Sequence, residues 1–411
     1  MQIIMVRKLQ MLLGAALVTL LTVSLICCPE AGVRAAAAGL KIFWEVVLPS
    51  LLPFFVLSEI MLGMGVVHFL GVLLEPLMRP LFNVPGIGAF ALSMGLAAGY
   101  PMDAVITGKF RRSGLCTRIE GERLLSFTNT ADPLFMFGAV AVGMFHRPEL
   151  GVVLSVAHYL ASFTVGFIFK YYRGGETALT VAPEQAQGQT MWRRAVRSLF
   201  QARRDDGRPF GKLMGDAVRE SMSTLLMIGG FIMLFSVLVQ MLTAFGLIKL
   251  IIPPLGGILS LLGLKPALAP ALFNGILEID LGAALTSQVN APLADQVMVV
   301  SWIIAWSGLC VHGQIASVIH DTDIRMRPYL IARLLHGFLA AGFSWALLGP
   351  LAPACATVAQ TLPVASGFNP LNRLVLSGMQ MLTVLGLLLL GIALAWFTKH
   401  YAMIRVKKTK R

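Results

Sequence analysis

Ser126-Phe-Thr-Asn-Thr-Ala-Asp-Pro-Leu-Phe-Met-Phe-Gly138 is the stretch that decides how this chain is read. It sets Asn129, Thr130, Asp132 and Pro133 at the head of an apolar run otherwise long enough to cross a bilayer. An ionised Asp at bilayer depth costs about 2.5–3.5 kcal/mol even on insertion scales. The proline beside it removes a backbone donor. An anchoring helix has use for neither residue, whereas a helix broken to line a polar cavity needs both.

The rest of the composition agrees with a membrane setting. The chain is 57% hydrophobic and 13% charged, against about 25% charged in soluble proteins. The fold class is therefore an all-α polytopic membrane protein. The longest polar stretch, about 171–212, is too short and too poor in apolar residues for a soluble domain. The net charge of +13 is spread over short loops and tails, where it sets topology and meets lipid headgroups. No basic patch is interleaved with aromatics, so no nucleic-acid partner is expected. Cysteines at 27, 28, 116, 310 and 355 fit no metal or disulfide pattern. Asp321-Thr-Asp323 is too sparse for a metal site. There is no phosphate-binding Gly loop, zinc-protease motif or Ser/His/Asp set, so neither an enzyme nor a cofactor is expected.

Apolar spans occur near 9–28, 42–66, 124–145, 150–170, 217–247, 297–319, 330–350 and 374–397. Two shorter stretches, 84–101 and 266–289, are broken by Pro and Gly and suit re-entrant hairpins. Basic clusters at 109–123, 193–212 and 399–411 belong on the cytoplasmic side. About eight crossings with two hairpins satisfy these constraints, both termini being inside. The first segment reads as an uncleaved helix or a signal anchor. The resulting divisions are an N-terminal helix (1–40), a first repeat (41–170), a basic cytoplasmic loop (171–212), a second repeat (213–350), and a C-terminal helix with a basic tail (351–411).

The repeat rests on the order of features: long helix, Pro/Gly hairpin, polar-headed helix, His-containing helix. A shift of 180 carries Asp132 onto His312, and a shift of 178 carries His158 onto His336. Each half has an odd number of crossings and they start on opposite sides, so the halves are inverted. That is a transporter architecture with its site at the repeat interface.

The candidate residues follow. Asn129 and Thr130 either cap the following helix or bind a substrate. Asp132 is either a first-turn charge or a coupling site for an ion or proton. Glu278 and Asp280 put two carboxylates into the second hairpin, which then needs a cation, a proton or an amine. They are read as substrate-binding and ion-coupling respectively, unless they sit in a wet loop. Gly99, Tyr100 and Pro101 offer a tight backbone and one phenol, His312 and Gln314 stand in the second polar-headed segment at the position matching Asp132 and nearby, and all five are read as substrate-binding unless they are a plain turn and packing residues. His158 and His336 are read as matched packing residues.

Asn129-Thr-Ala-Asp-Pro-Leu-Phe-Met-Phe-Gly-Ala-Val140, with Gly99-Tyr-Pro101, resembles the sporulation integral membrane proteins of the YlbJ type. The resemblance covers nearly the whole chain. It implies a nucleoside-recognition (Gate) domain, endospore-forming bacteria, a mother-cell or outer forespore membrane location and a role in making the spore cortex. The matching positions are Gly99, Tyr100, Pro101, Asn129, Thr130, Pro133, Leu134, Phe135 and Gly138. Met102-Asp103 stand where the family has small residues, so no role passes to Asp103. The expected function is a transporter or permease-like factor for a small polar solute, with a coupling cation. The alternatives are a non-transporting scaffold for cortex assembly, and a lipid or precursor flippase. Expected partners are the bilayer and, beyond it, further copies of the chain or other sporulation membrane proteins.

Overall fold

The computed structural model describes residues 2–174 and 190–349, in which every regular element is a helix. The expected span 374–397, the basic tail and Cys355 lie outside the described residues. Helix α1 (Gln2–Cys27) meets α2 (Pro29–Ile42) at a bend of 107°. A π-helical turn, Phe43–Val47, continues into α3 (Leu48–Gly63). Gly65 then turns the chain by 83° into α4 (Val66–Phe82). Its φ is +79°, and a Cβ there would lie 2.3 Å from the Leu199 carbonyl oxygen, so only glycine fits.

The first hairpin is α5 (Gly88–Ala98) and α6 (Met102–Arg112). Helix α7 (Arg118–Thr128) starts on a capping box: Thr117 accepts from the Glu120 N–H at 3.2 Å and Glu120 accepts from the Thr117 N–H at 2.8 Å. A π-helix, Leu134–Met144, and α8 (Leu150–Phe169) close this half. After α9 (Met191–Asp206) come α10 (Phe210–Ala244), α11 (Ile248–Leu261), α12 (Ala269–Leu277), α13 (Ile279–Gln288), α14 (Leu293–Trp306), α15 (Gly308–Ile319) and α16 (Met326–Leu348).

Among the described residues, four helical stretches are long and apolar enough to cross a membrane: Leu150–Phe169, Phe210–Ala244, Leu293–Ile319 and Met326–Leu348. The two bent pairs, α1 with α2 and α3 with α4, raise this to six if each is one span. The chain is a multi-pass membrane protein. The segment 124–145 is not one continuous crossing, because Asn129–Pro133 is unwound between α7 and the π-helix. Helices α2, α4, α6 and α11 lie outside the expected spans and hairpins: α6 carries the first hairpin past its expected end at 101, and α4 and α11 each carry an internal proline pair, Pro76 and Pro80, Pro253 and Pro254. The region expected as a basic loop contains α9, which lies against α4 with Trp192 edge-on to Phe69 at 5.2 Å.

Small residues let the long helices approach. Ala161, Ala305 and Ala340, fully buried, bring α8, α14 and α16 together. Gly166 leaves room for Phe82 stacked on Phe127 at 4.4 Å. Parts of the two basic regions lie near each other, Glu59 pairing with Lys109 and lying in Coulombic range of Arg208. Lys109 pairs with Glu59 and, at 2.8 Å, with Glu220. Arg111 grips Asp323 through two bonds of 2.7 and 2.9 Å, which holds that carboxyl below its usual pKa. Arg112 reaches Asp321 at 2.8 Å.

Candidate functional site

The site is built from four places where the helical chain breaks. Gly99-Tyr-Pro101 separates α5 from α6, and Glu278 separates α12 from α13. Residues 129–133 separate α7 from the π-helix, and Ser307 separates α14 from α15. Each hairpin break packs on a helix break. A Cβ on Gly99, whose φ is +74°, would sit 2.9 Å from an Asp132 carboxylate oxygen. A Cβ on Gly308, at φ +76°, would sit 3.1 Å from the Leu277 carbonyl and 3.3 Å from the Glu278 Cα.

Every break frees backbone groups that a bilayer cannot satisfy. The carbonyls at the end of α14 are answered one by one. Ile303 O accepts from the Ser307 N–H at 2.9 Å. Ile304 O accepts from the Tyr100 hydroxyl at 3.4 Å, and Ala305 O from Arg333 at 3.5 Å. Trp306 O accepts from His312 Nε2 at 2.8 Å and from the Ser307 hydroxyl at 2.6 Å. At the end of α7, Ser126 O takes Arg333 Nη2 at 2.7 Å, Phe127 O takes the Ser162 hydroxyl at 2.5 Å, and Thr128 O takes Thr130 at 3.4 Å. Arg333 Nη1 also donates to Asn129 O.

Carboxylates sit at the helix starts, where free N–H groups and the positive dipole end favour them. Asp132 accepts from the Phe135 N–H at 2.9 Å, and Glu278 from the Leu281 N–H at 2.8 Å. The carboxyl groups of Glu278 and Asp280 lie within interaction range of each other. The Tyr100 hydroxyl lies in Coulombic range of Asp132, Asp280 and Arg333. The phenol, which donates to Ile304 O, therefore lies near Asp132 and Asp280 without bonding either.

The predicted residues fare differently. Gly99, Tyr100, Pro101, Asp132, Glu278 and Asp280 line the meeting of the breaks. Asn129 and Thr130 are wholly buried. Asn129 Nδ2 donates to Asp103 at 2.9 Å and its Oδ1 accepts from the Tyr329 hydroxyl at 3.2 Å, so its polar groups are committed internally. His312 is locked on Trp306 O, with its ring edge-on to Tyr329 at 5.3 Å. Gln314 faces back along α15 to Cys310 Sγ at 3.5 Å. His158 and His336 meet: their rings are 4.5 Å apart and His336 Nε2 donates to His158 O at 2.9 Å. His158 Nε2 accepts from the Ala131 N–H at 3.0 Å and so pins the unwound segment.

Three residues escaped the sequence reading. Asp103, to which no role passed, accepts from both Asn129 and the Thr128 hydroxyl, the latter at 3.1 Å. Tyr329 and Arg333 stand on α16, Arg333 over the Tyr329 ring at 5.6 Å. Arg333 was open to discovery, since a cation within an apolar span carries the same signal as Asp132.

These features define a polytopic membrane protein with a polar centre made of interrupted helices. The sequence model of the Nucleoside recognition (Gate) family matches residues 44–167, which span the first hairpin and first broken helix. The sporulation integral membrane protein YlbJ of Bacillus subtilis (strain 168) is 44% identical over 344 residues, covering 84% of each chain. The chain belongs to the family of that sporulation integral membrane protein. A solved structure of a CNTnw variant in an outward-facing state aligns over 82% of this chain and 92% of its own, at 13% identity and a TM-score of 0.36.

Proposed function

We propose that the protein is a transporter or permease-like factor for a small polar solute during sporulation, serving spore cortex formation and working by alternating access. The observation that carries this reading is the convergence of the four breaks, with acids of both halves near one phenol. Broken helices meeting at an interface of inverted repeats are how membrane carriers present polar groups at bilayer depth. A hairpin break followed by a helix break on either side of α9 supports two such repeats. A cavity of about 180 Å³, lined by Val105, Lys109 and Arg112 from one half and Glu220, Thr224 and Val318 from the other, supports access along their seam. The Gate match and the YlbJ relative fit this role. In this reading Tyr100, Glu278 and the backbone at Gly99 and Pro101 face the solute, while Asp132 and Asp280 carry the coupling ion or proton. Asn129 and Thr130 shape the site from behind.

The test is the count of heat-resistant spores. Asp132→Ala, Glu278→Ala and Asp280→Ala are each expected to abolish heat resistance at unchanged membrane levels of protein. Normal spores from all three would refute the proposal. A scaffold would instead tolerate these changes and fail when the basic regions are neutralised.

A further inference from the structure

We propose that Arg333 is a tethered cation, occupying a carbonyl-walled position between the two broken helices that a free monovalent cation would otherwise have to fill. Its guanidinium donates to Ser126 O and Asn129 O at the end of α7, and to Ala305 O at the end of α14. The residue is wholly buried. A helix C-terminus carries about half an elementary negative charge. Two of them facing one centre sum to about one, which a single guanidinium neutralises. Unwound carbonyls and half-helix C-terminal ends are the groups with which broken-helix carriers hold free cations. Here the equivalent groups from both halves are occupied by a side chain of α16, and a planar fork suits carbonyls arriving from two directions. The Tyr329 ring lies against the guanidinium, and Asp103, tied to Asn129, supplies a countercharge within Coulombic range. The consequence is that the two helix breaks are held shut without a dissociable ion at this point. Any ion the protein exchanges is left to the acids at Asp132 and Asp280. The Arg333 assignment rests on the packing of α7, α14 and α16 and holds whether or not the protein transports.

The experiment is thermal unfolding of the purified full-length chain in detergent. Arg333→Ala is expected to lower the midpoint by about 5 °C or more, because buried carbonyls lose their donors. Free guanidinium at about 10 mM, far below denaturing levels, is expected to restore much of that loss by binding the vacated position. Choline at the same concentration is expected to restore none. Arg333→Met fills the space without charge and is expected to be destabilised and beyond rescue, while Arg333→Lys keeps the cation and retains most of the stability. Guanidinium raising Arg333→Ala no more than it raises wild type would overturn the proposal. Should the Ala variant fail to purify, membrane levels of the Lys and Met variants decide: Lys well above Met supports a tethered charge, and equal levels contradict it.

Discussion

Asp103→Ala is expected to destabilise the protein more than any other single exchange of a polar side chain at its centre. Asp103 is fully buried in the first turn of α6. Its carboxylate receives the Asn129 amide at 2.9 Å and the Thr128 hydroxyl at 3.1 Å. Asn129 in turn receives Tyr329 and, on its carbonyl, Arg333. Removing the carboxylate strips the Asn129 amide of its acceptor and takes away the carboxylate within Coulombic range of Arg333. Leaving the buried Asn129 amide without its acceptor costs about 1–3 kcal/mol, and the lost charge near Arg333 adds to it. Asp103→Asn keeps one acceptor and should lose less. Thermal unfolding and membrane abundance check this, and an Ala variant within about 1 kcal/mol of wild type would show that the network is not structural.

Gly282→Ala is the second large effect, and it acts on the other half. The two arms of the α12–α13 hairpin cross where Gly282 meets Gly275. A Cβ on Gly282 would lie 2.2 Å from the Gly275 Cα and 2.5 Å from its nitrogen. These are backbone atoms, so no rotamer relieves the contact. Overpacking against mobile side chains costs about 1–3 kcal/mol, and against backbone the cost should reach or exceed that range. The separated arms would also carry Glu278 and Asp280 away from Gly308. The control is Gly257→Ala in α11, where nothing lies within 4 Å of the new methyl and helix propensity favours alanine by about 1 kcal/mol. Loss of folded protein in the first and unchanged or higher stability in the second is the expected pair of results, read from detergent-purified yield and midpoint.

The sequence was legible where physics is local. The membrane class follows from composition, and the breaks at Gly99-Tyr-Pro101 and Asn129–Pro133 follow from residues that cannot continue a helix. His158 and His336, read as packing residues, are both buried and lie against each other, a contact that their matched shift of 178 did not announce. What stayed hidden depends on who receives each freed backbone group. Asn129 looked like a ligand for solute because its amide is costly in lipid, and the structure gives both ends of that amide to Asp103 and Tyr329. Those partners lie 26 and 200 residues away, beyond any periodicity. Helices α4 and α11 fall between the expected apolar spans, and each carries two interior prolines. Interior prolines are tolerated where neighbouring helices take up the freed backbone groups.

The central claim of the proposed function is that the breaks of both halves meet at one site, which alternating access opens to water on each side in turn. Its most direct test is thiol accessibility in a chain whose five natural cysteines are replaced by serine. Leu134→Cys, beside Asp132, and Leu281→Cys, beside Asp280, are placed one at a time and treated with a membrane-impermeant cationic thiol reagent from either side of the membrane. Labelling of both positions from both sides, slowed together by the same added solute, is the predicted result. Labelling of Leu134→Cys from one side and Leu281→Cys from the opposite side alone would contradict the account, because the two halves would then face separate waters and share no site.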